Sequence, residues 1–315
     1  MPVYSGAMGA VIDKRIVFAG CARDCAAALP KVLANVDRIA GLFADADYVL
    51  MENDSKDTTK NLLREWCSSR PTAHLITRDD FNISAPRTIR LAQLRGEYTA
   101  LVKGKFADRD YLAVLDCDDV NSSAIDLDAV MRSIDFLAQD RSCAGASANS
   151  VPYYYDLWAF RHPELCPSDF WEDVLDYAVR FRVSDAEAYT KTLAKRTVQL
   201  PRDGPPLEVD SAFGGFAIYK MSSVLKNRAP FTGYKRKVLP SRNGPTQVGL
   251  QVSEHVSFHA GFRARGDRLF VLPWLVNCTT RNQDSSTAKF RASTFRNLIF
   301  DLRATRSELR GSMRR

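Results

Sequence analysis

Histidine is scarce in this sequence: His74, His162, His255 and His259 are the four present among 315 residues. A metal cage built on imidazole is therefore not expected as its principal device. The seven cysteines, at 21, 25, 67, 117, 143, 166 and 278, are odd in number and contain no Cys-x-x-Cys pair. That pattern excludes a zinc ribbon and gives no disulfide framework, so reduced, structural thiols are expected. No apolar run approaches the roughly 18 residues of a membrane-spanning helix. The first ten residues lack the basic start and apolar stretch of a secretory leader, so a cytoplasmic chain is expected. Internal repeats and low-complexity linkers are missing too.

Charge of one sign is also sparse over most of the chain. The formal net charge is +7, and residues 285–315 contribute +6 of it, with eight basic side chains against Asp301 and Glu308. A near-neutral body does not suit nucleic acid, so no nucleic-acid partner is expected. Any anionic partner falls to the tail. There Phe290, Phe295, Leu298, Ile299 and Leu302 alternate with Arg296, Arg303 and Arg306, which predicts a basic amphipathic helix. Such a helix docks on the body or makes a peripheral contact with an anionic membrane. With 45% hydrophobic and 26% charged residues the rest has ordinary globular composition. Its length fits one large α/β domain or two smaller ones.

The organising stretch is Tyr111–Asn121, Tyr-Leu-Ala-Val-Leu-Asp-Cys-Asp-Asp-Val-Asn. Its apolar start reads as a strand buried on both faces. Asp116 and Asp118 then share one side, because side chains alternate with period two. Two like-facing carboxylates repel unless a cation lies between them. Hard oxygen ligands beside open water positions suit Mg²⁺ or Mn²⁺, completed by a substrate phosphate. A carboxylate-rich turn is the alternative.

Around it, strands and helices alternate. Arg15–Ala19 reads as a strand, followed by a helix with Leu29, Val32, Leu33, Val36, Ile39, Ala40 and Phe43 on one face. Tyr48–Met51 is a second strand, running into the polar loop Glu52–Thr59, which is able to cap a helix over Thr59–Trp66. Ala73–Thr77 is a third strand, and Pro86–Lys103 a helix bearing Arg87, Arg90 and Arg95. After the Tyr111 strand comes a helix with Leu127, Val130, Met131, Ile134 and Leu137. This order predicts a mostly parallel sheet whose loops at Gly20, Glu52 and Asp116 open on one edge. Beyond it, the sequence predicts helices over Ser168–Arg180 and Ser184–Ala194, and a loop over Pro201–Pro206. A Gly214-Gly215 pair precedes a strand, and Asn227–Gln247 reads as a polar loop. A helix opens at Ser253-Glu254-His255, and Leu269–Val276 is a strand interrupted by Pro273. Tyr153, Tyr154 and Trp158 are candidates to stack on a sugar or to pack in the core. His255 and His259, four apart, share a helix face.

These motifs, in this order, resemble nucleotide-sugar-dependent glycosyltransferases of the GT-A fold. Glu52-Asn53-Asp54-Ser55-x-Asp57-x-Thr59 is similar to the acidic loop after that superfamily's second strand. Asp116-Cys117-Asp118 stands where its Asp-x-Asp motif stands. Gly214-Gly215 resembles its glycine loop, and Ser253-Glu254-His255 its acidic helix start. Arg87 to Arg95 followed by Leu115-Asp116-Cys117-Asp118-Asp119-Val120 is similar to the fungal capsule-associated mannosyltransferases.

The resemblance, over about residues 15–276, implies a Rossmann-like GT-A sheet with a nucleotide-sugar-binding half (1–130) and an acceptor-binding half (131–284), followed by the 285–315 tail. It implies a GDP- or UDP-linked sugar donor and a glycan, polysaccharide or lipid-linked acceptor. Donor binding falls to Ala19, Gly20, Glu52, Asn53, Asp54, Arg90, Arg95, Asp116, Gly214 and Gly215. Mn²⁺ or Mg²⁺ falls to Asp116 and Asp118 with His259, although Asn277, His255 or water also fit the third position. Catalysis falls to Asp118 and to Glu254, the latter as the proton acceptor of an inverting reaction or as an acceptor-holding group. A haloacid-dehalogenase-type phosphatase using Asp116 and Asp118, and a non-catalytic sugar-nucleotide binder, are the competing readings.

Overall fold

The computed structural model describes residues 12–81, 85–192, 196–240, 244–279 and 299–300. Strands β1 (Ile12–Ala22), β2 (Phe43–Asn53), β3 (Ala73–Arg78) and β4 (Tyr111–Asp116) alternate with helices α1 (Leu29–Ala40), α2 (Thr59–Ser68) and α3 (Arg87–Lys105). A short 3₁₀ turn (Asp119–Asn121), α4 (Leu127–Gln139) and β5 (Cys143–Val151) follow. Then come α5 (Phe170–Phe181), α6 (Asp185–Thr192), β6 (Leu207–Val209), β7 (Phe216–Lys220) and α7 (Met221–Lys226). The remaining elements are β8 (Tyr234–Leu239), β9 (Thr246–Gln251), α8 (Glu254–Arg263), β10 (Arg268–Thr279) and β11 (Ile299–Phe300).

Eight strands form the central sheet in the order β3-β2-β1-β4-β7-β5-β10-β6. The β3-β2-β1-β4 block is parallel, as is the β5–β10 pair, whereas β7 and β6 run antiparallel to their neighbours. The expected α/β architecture with a mostly parallel central sheet is therefore present. Period-two alternation sorts its two cores. Val17, Ala19, Val49, Met51 and Val114 face Leu94, Tyr98 and Val102 of α3. Ile16, Phe18, Tyr48, Ala113 and Leu115 face Val32, Val36 and Ile39 of α1 and Val130, Ile134 and Leu137 of α4. Burying such side chains on both faces stabilises the sheet by roughly 1.5–3 kcal/mol each.

Several expectations need correcting. Phe43 does not extend the α1 stripe; the helix stops before Gly41 and Phe43 opens β2. Segment 143–151 gave no strand signal, because Cys-Ala-Gly-Ala-Ser-Ala-Asn-Ser has little β preference. It is nevertheless fully incorporated, and Gly145 leaves room for Tyr219, whose ring lies 2.4 Å from where a Cβ would stand. The stretch read as a polar loop contains β8 and the first two residues of β9, strands that pair antiparallel in a second sheet with β11. Its charged, half-exposed strands conceal the pattern, and Lys237 reaches Glu172 (2.8 Å) and Asp176 (2.6 Å) on α5. The interruption expected at Pro273 is present as a register shift between Val271 and Val276, and β10 runs on through it to Thr279. Ile299 and Phe300, expected in the basic helix, are paired as a strand with β9. The rest of that helix, including its proposed membrane contact, lies outside the described residues. No described helix is long and apolar enough to cross a membrane.

Candidate active site

β1, β2 and β4 end side by side, with Cys21 opposite Asp116 and Ala22 opposite Glu52. Because β7 is antiparallel, it brings its first residues to this same edge, and the Asp116 N–H donates to the Gly215 carbonyl (2.9 Å). Two hollows meet here. One, of about 310 Å³, is lined by Cys21–Cys25, Asn53, Arg87, Arg90, Leu91, Leu94 and Asp116–Asp118. The other, of about 560 Å³, includes Arg87, Arg95, Asp116, Asp118, Asp156, Trp158, Glu254 and His255. Asp116 and Asp118 stand where the two join.

Arg95 ties the junction together. It is 2% exposed, and its Nη2 donates to Asp116 Oδ1 while its Nε donates to Glu254 Oε1, both at 2.8 Å. Nη1 donates to the Tyr98 hydroxyl (3.2 Å), and the guanidinium lies 5.0 Å from the Phe213 ring centre. A buried cation held this way fixes the two acids relative to each other. Glu254 opens α8 and is itself buried. Arg95 therefore joins a strand end, a helix start and its own helix, rather than standing free for a phosphate.

Asp118 stands open to the cleft, and its Oδ1 accepts a long bond from the Val120 N–H (3.3 Å). Partial withdrawal from water against the cleft wall, with Asp116 adding like charge, raises its pKa although the residue keeps an exposed face. That is the electrostatic condition a divalent cation relieves. Asp116 keeps Oδ2 beyond its Arg95 bond, so two carboxylates with open water or phosphate positions fit Mn²⁺ or Mg²⁺. Among the described residues no set of three metal-ligating side chains converges.

The structure does not bring His259 to this junction. Its Nδ1 is bonded to the Ser211 hydroxyl and its Nε2 to the Tyr219 hydroxyl, each at 2.8 Å. Burial pushes its pKa down to about 3, which marks a neutral core histidine. Asn277 is held through its Nδ2, which donates to Asn121 Oδ1 (2.9 Å) and the Gly214 carbonyl (2.7 Å), while its Oδ1 is buried without a hydrogen-bond partner. His255 lines the larger hollow and stacks on Phe213 at 3.9 Å, with both ring nitrogens buried and unpartnered.

Other sequence candidates shape the cleft without lining it. Ala19 and Gly20 lie inside β1, which runs on to Ala22, so Cys21, Ala22 and Arg23 occupy the hollow instead. Glu52 is fully buried, its Oε1 accepting from the Ser55 N–H (2.9 Å). Asp54 folds back to accept from the Asn53 amide (3.0 Å) and the Phe81 N–H (3.2 Å), leaving Asn53 on the hollow. Ser55 and Thr59 accept from the Asp24 and Cys25 N–H groups (3.1 and 2.9 Å), and Asp57 from that of Ala26 (3.0 Å). This loop thus braces the one after β1. Gly214 and Gly215 have φ of +64° and +78°. A Cβ on Gly214 would lie 2.5 Å from the Ala148 carbonyl oxygen, so the pair is demanded by conformation and close approach.

Sequence reasoning missed two groups. Arg23 joins Arg87 and Arg90 in the smaller hollow. Burial, then the guanidinium groups of Arg23 and Arg87, lower the Arg90 pKa, against an opposing effect of Asp54. Asp156 was hidden beside the tyrosine run. It accepts from the Gly214 N–H (3.1 Å) and the Ala159 N–H (3.3 Å), and lines the larger hollow. Burial raises its pKa to about 7, with Asp116 and Glu254 adding to the effect and the two N–H donors opposing it. Of the aromatic candidates, Tyr154 is core and Trp158 lines the hollow with Tyr155. All seven cysteines are free thiols.

No model of a known protein family matches this chain, and no curated protein matches it. Solved structures do. It is similar to the mannosyltransferase PcManGT from Pyrobaculum calidifontis in complex with GDP-Man and Mn²⁺, at 13% identity, covering 90% of this chain and 63% of that one, with a TM-score of 0.44. It is similar to glucosyl-3-phosphoglycerate synthase from Mycobacterium tuberculosis in complex with UDP, at 14% identity, 69% and 60% coverage and a TM-score of 0.36. It is also similar to residues 1–349 of TarS from S. aureus, at 10% identity, 82% and 58% coverage and a TM-score of 0.41. The chain spans about three fifths of the length of these proteins. At such low identity the functional reading rests on the residues of the cleft itself.

Proposed function

We propose that the chain is a metal-dependent GT-A glycosyltransferase, moving a sugar from a nucleotide-sugar donor to a hydroxyl of a glycan, polysaccharide or lipid-linked acceptor. The observation that carries this is the meeting of two hollows at Asp116 and Asp118, one edged by arginines and the other by carboxylates. Arg23, Arg87 and Arg90 line one hollow, with Arg23 3.6 Å from Asp24, and a diphosphate supplies an anion that these guanidinium groups can share. Asn53, on the same hollow, is placed to meet the nucleoside. Asp116 and Asp118 would hold the divalent cation. When bound, it supplies Lewis-acid stabilisation of charge gathering on the leaving diphosphate. Arg95 holds Asp116 in position and screens it from Glu254. The larger hollow then takes the acceptor, lined jointly by α3 and the Asp116–Ser123 stretch of the 1–130 donor half and by Tyr155 to Cys278 of the 131–284 acceptor half.

A phosphatase attacking through Asp116 fits less well, since Arg95 engages one of that residue's two oxygens and three strands precede its own. Calorimetric titration with GDP and UDP tests the reading. Binding of at least one of them, strengthened by Mn²⁺ and lost in Asp118→Asn, is expected; no Mn²⁺-assisted binding of either would refute it.

A further inference from the structure

We propose that Asp156 is the group that takes the proton from the acceptor hydroxyl, an assignment that rests on the transferase reading above. Four other carboxylates line the acceptor hollow: Asp116, Asp118, Asp119 and Glu254. The first two face the cation site, and Asp119 is exposed on the rim. Glu254, expected from sequence to be the proton acceptor, has Oε1 bound to Arg95 in a buried pair. Protonating it would leave a buried guanidinium short of its partner, which costs several kcal/mol. Its place is that of a positioning residue.

Asp156 is different in kind. Among the described residues no Lys, Arg or His nitrogen lies within ion-pair distance of it, and its fixed partners are two backbone N–H groups. Those bonds hold the carboxyl against the Gly214 turn, itself one residue from the Gly215 carbonyl that receives the Asp116 N–H. The group is thus indexed to the reacting junction through backbone, which positions a reactive atom well. Trp158 lies on the same hollow, and its indole Nε1 is buried without a partner. Unsatisfied buried donors are rare enough to require an explanation. A flat aromatic wall, an unused N–H and a carboxylate together suit a polyhydroxylated acceptor such as a sugar or polyol.

In the step assigned, the acceptor O–H bond breaks and its proton passes to an Asp156 oxygen. The hydroxyl oxygen forms the new bond to the donor's anomeric carbon. The bond from that carbon to the diphosphate oxygen breaks, and its electron pair leaves with the nucleoside diphosphate. The configuration inverts.

The test uses the full chain, Mn²⁺, GDP- and UDP-linked hexoses as donors and a mixture of methyl hexosides as acceptors. Asp156→Asn, which keeps an oxygen for the Gly214 N–H, should release nucleoside diphosphate at least about 10²-fold more slowly. Its affinity for the nucleotide should stay within about threefold of wild type. Asp156→Ala supplemented with azide should recover release and yield a glycosyl azide, because azide brings no proton to remove. Glu254→Gln should lose turnover that azide does not restore. An Asn variant turning over near the wild-type rate overturns the assignment. So does an Ala variant that binds nucleotide but gains nothing from azide. A wild-type chain with no Mn²⁺-assisted nucleotide binding removes the transferase reading first, and the assignment with it.

Discussion

In the smaller hollow three arginines meet three carboxylates, whereas in the larger one two arginines meet five. The first is built on β1, β2, α3 and β4, consecutive strand–helix units read in order along the chain. The second shares α3 and the end of β4 with the first and adds residues from the segments after β5 and before β7, from the start of α8 and from β10, far apart in sequence. A charge-balanced side and a side crowded with acids are thus joined at one Asp pair. On the proposed function, binding energy and proton handling would be divided between two walls of one cleft.

Arg95 is where the division is enforced, so breaking it should have the largest effect. Arg95→Met removes the shared partner of Asp116 and Glu254 and leaves Glu254 buried without it. A loss of about 3–5 kcal/mol is expected in denaturant unfolding. Turnover should fall with it. A variant as stable as the wild type would mean that the two walls are not coupled through this residue.

The comparison also separates binding from chemistry. Arg90→Ala should weaken nucleotide binding by about tenfold, the order of one charge-assisted contact, while kcat at saturating donor changes little. Equal losses in kcat and kcat/KM would place Arg90 on the transition state instead.

The wall of the smaller hollow was legible in the sequence because apolar periodicity names its strands, and carboxylates after a strand point to one edge. The far wall of the larger hollow was not. β5 is made of small residues whose strand identity comes from their neighbours, and β8 carries Lys235, Arg236 and Lys237. Asp156 follows three tyrosines and looks like a turn acid until Gly214 folds over it. His259 shows the opposite failure. The resemblance offered it as a third metal ligand, but Ser211 and Tyr219, 48 and 40 residues away, occupy both its nitrogens. Glu52, Asp54 and the glycine pair were expected to bind the donor; in the structure they brace the loops and strand ends around the cleft.

A smaller effect sharpens the contrast through pH. Burial lowers the pKa of His255 and of His259, the latter from its ordinary 6.5 to about 3. Between those values the unfolded chain binds a proton at His259 that the fold does not. That residue's contribution to stability therefore falls by about 1.4 kcal/mol per unit as pH drops. Asp118 and Asp156 have raised pKa values, Asp156 from 3.8 to about 7, and contribute in the opposite sense, losing stability as pH rises through that window. The opposing slopes offset each other from about pH 4 to 6.5. Asp156→Asn removes one acid slope, so melting of the metal-free variant should gain stability with rising pH more steeply than wild type. An unchanged slope would show that Asp156 is not proton-bound in the fold.

The central claim, that Asp116 and Asp118 operate with a divalent cation on a nucleotide sugar, is tested most directly by nucleoside diphosphate release. The full chain is offered GDP- and UDP-linked hexoses with methyl hexosides, once in Mn²⁺ and once in excess chelator, beside Asp116→Asn in Mn²⁺. Release from at least one donor in Mn²⁺ is predicted, falling by about 10³-fold or more in chelator and in the variant. Equal release in chelator, or none from any donor in Mn²⁺, would contradict it.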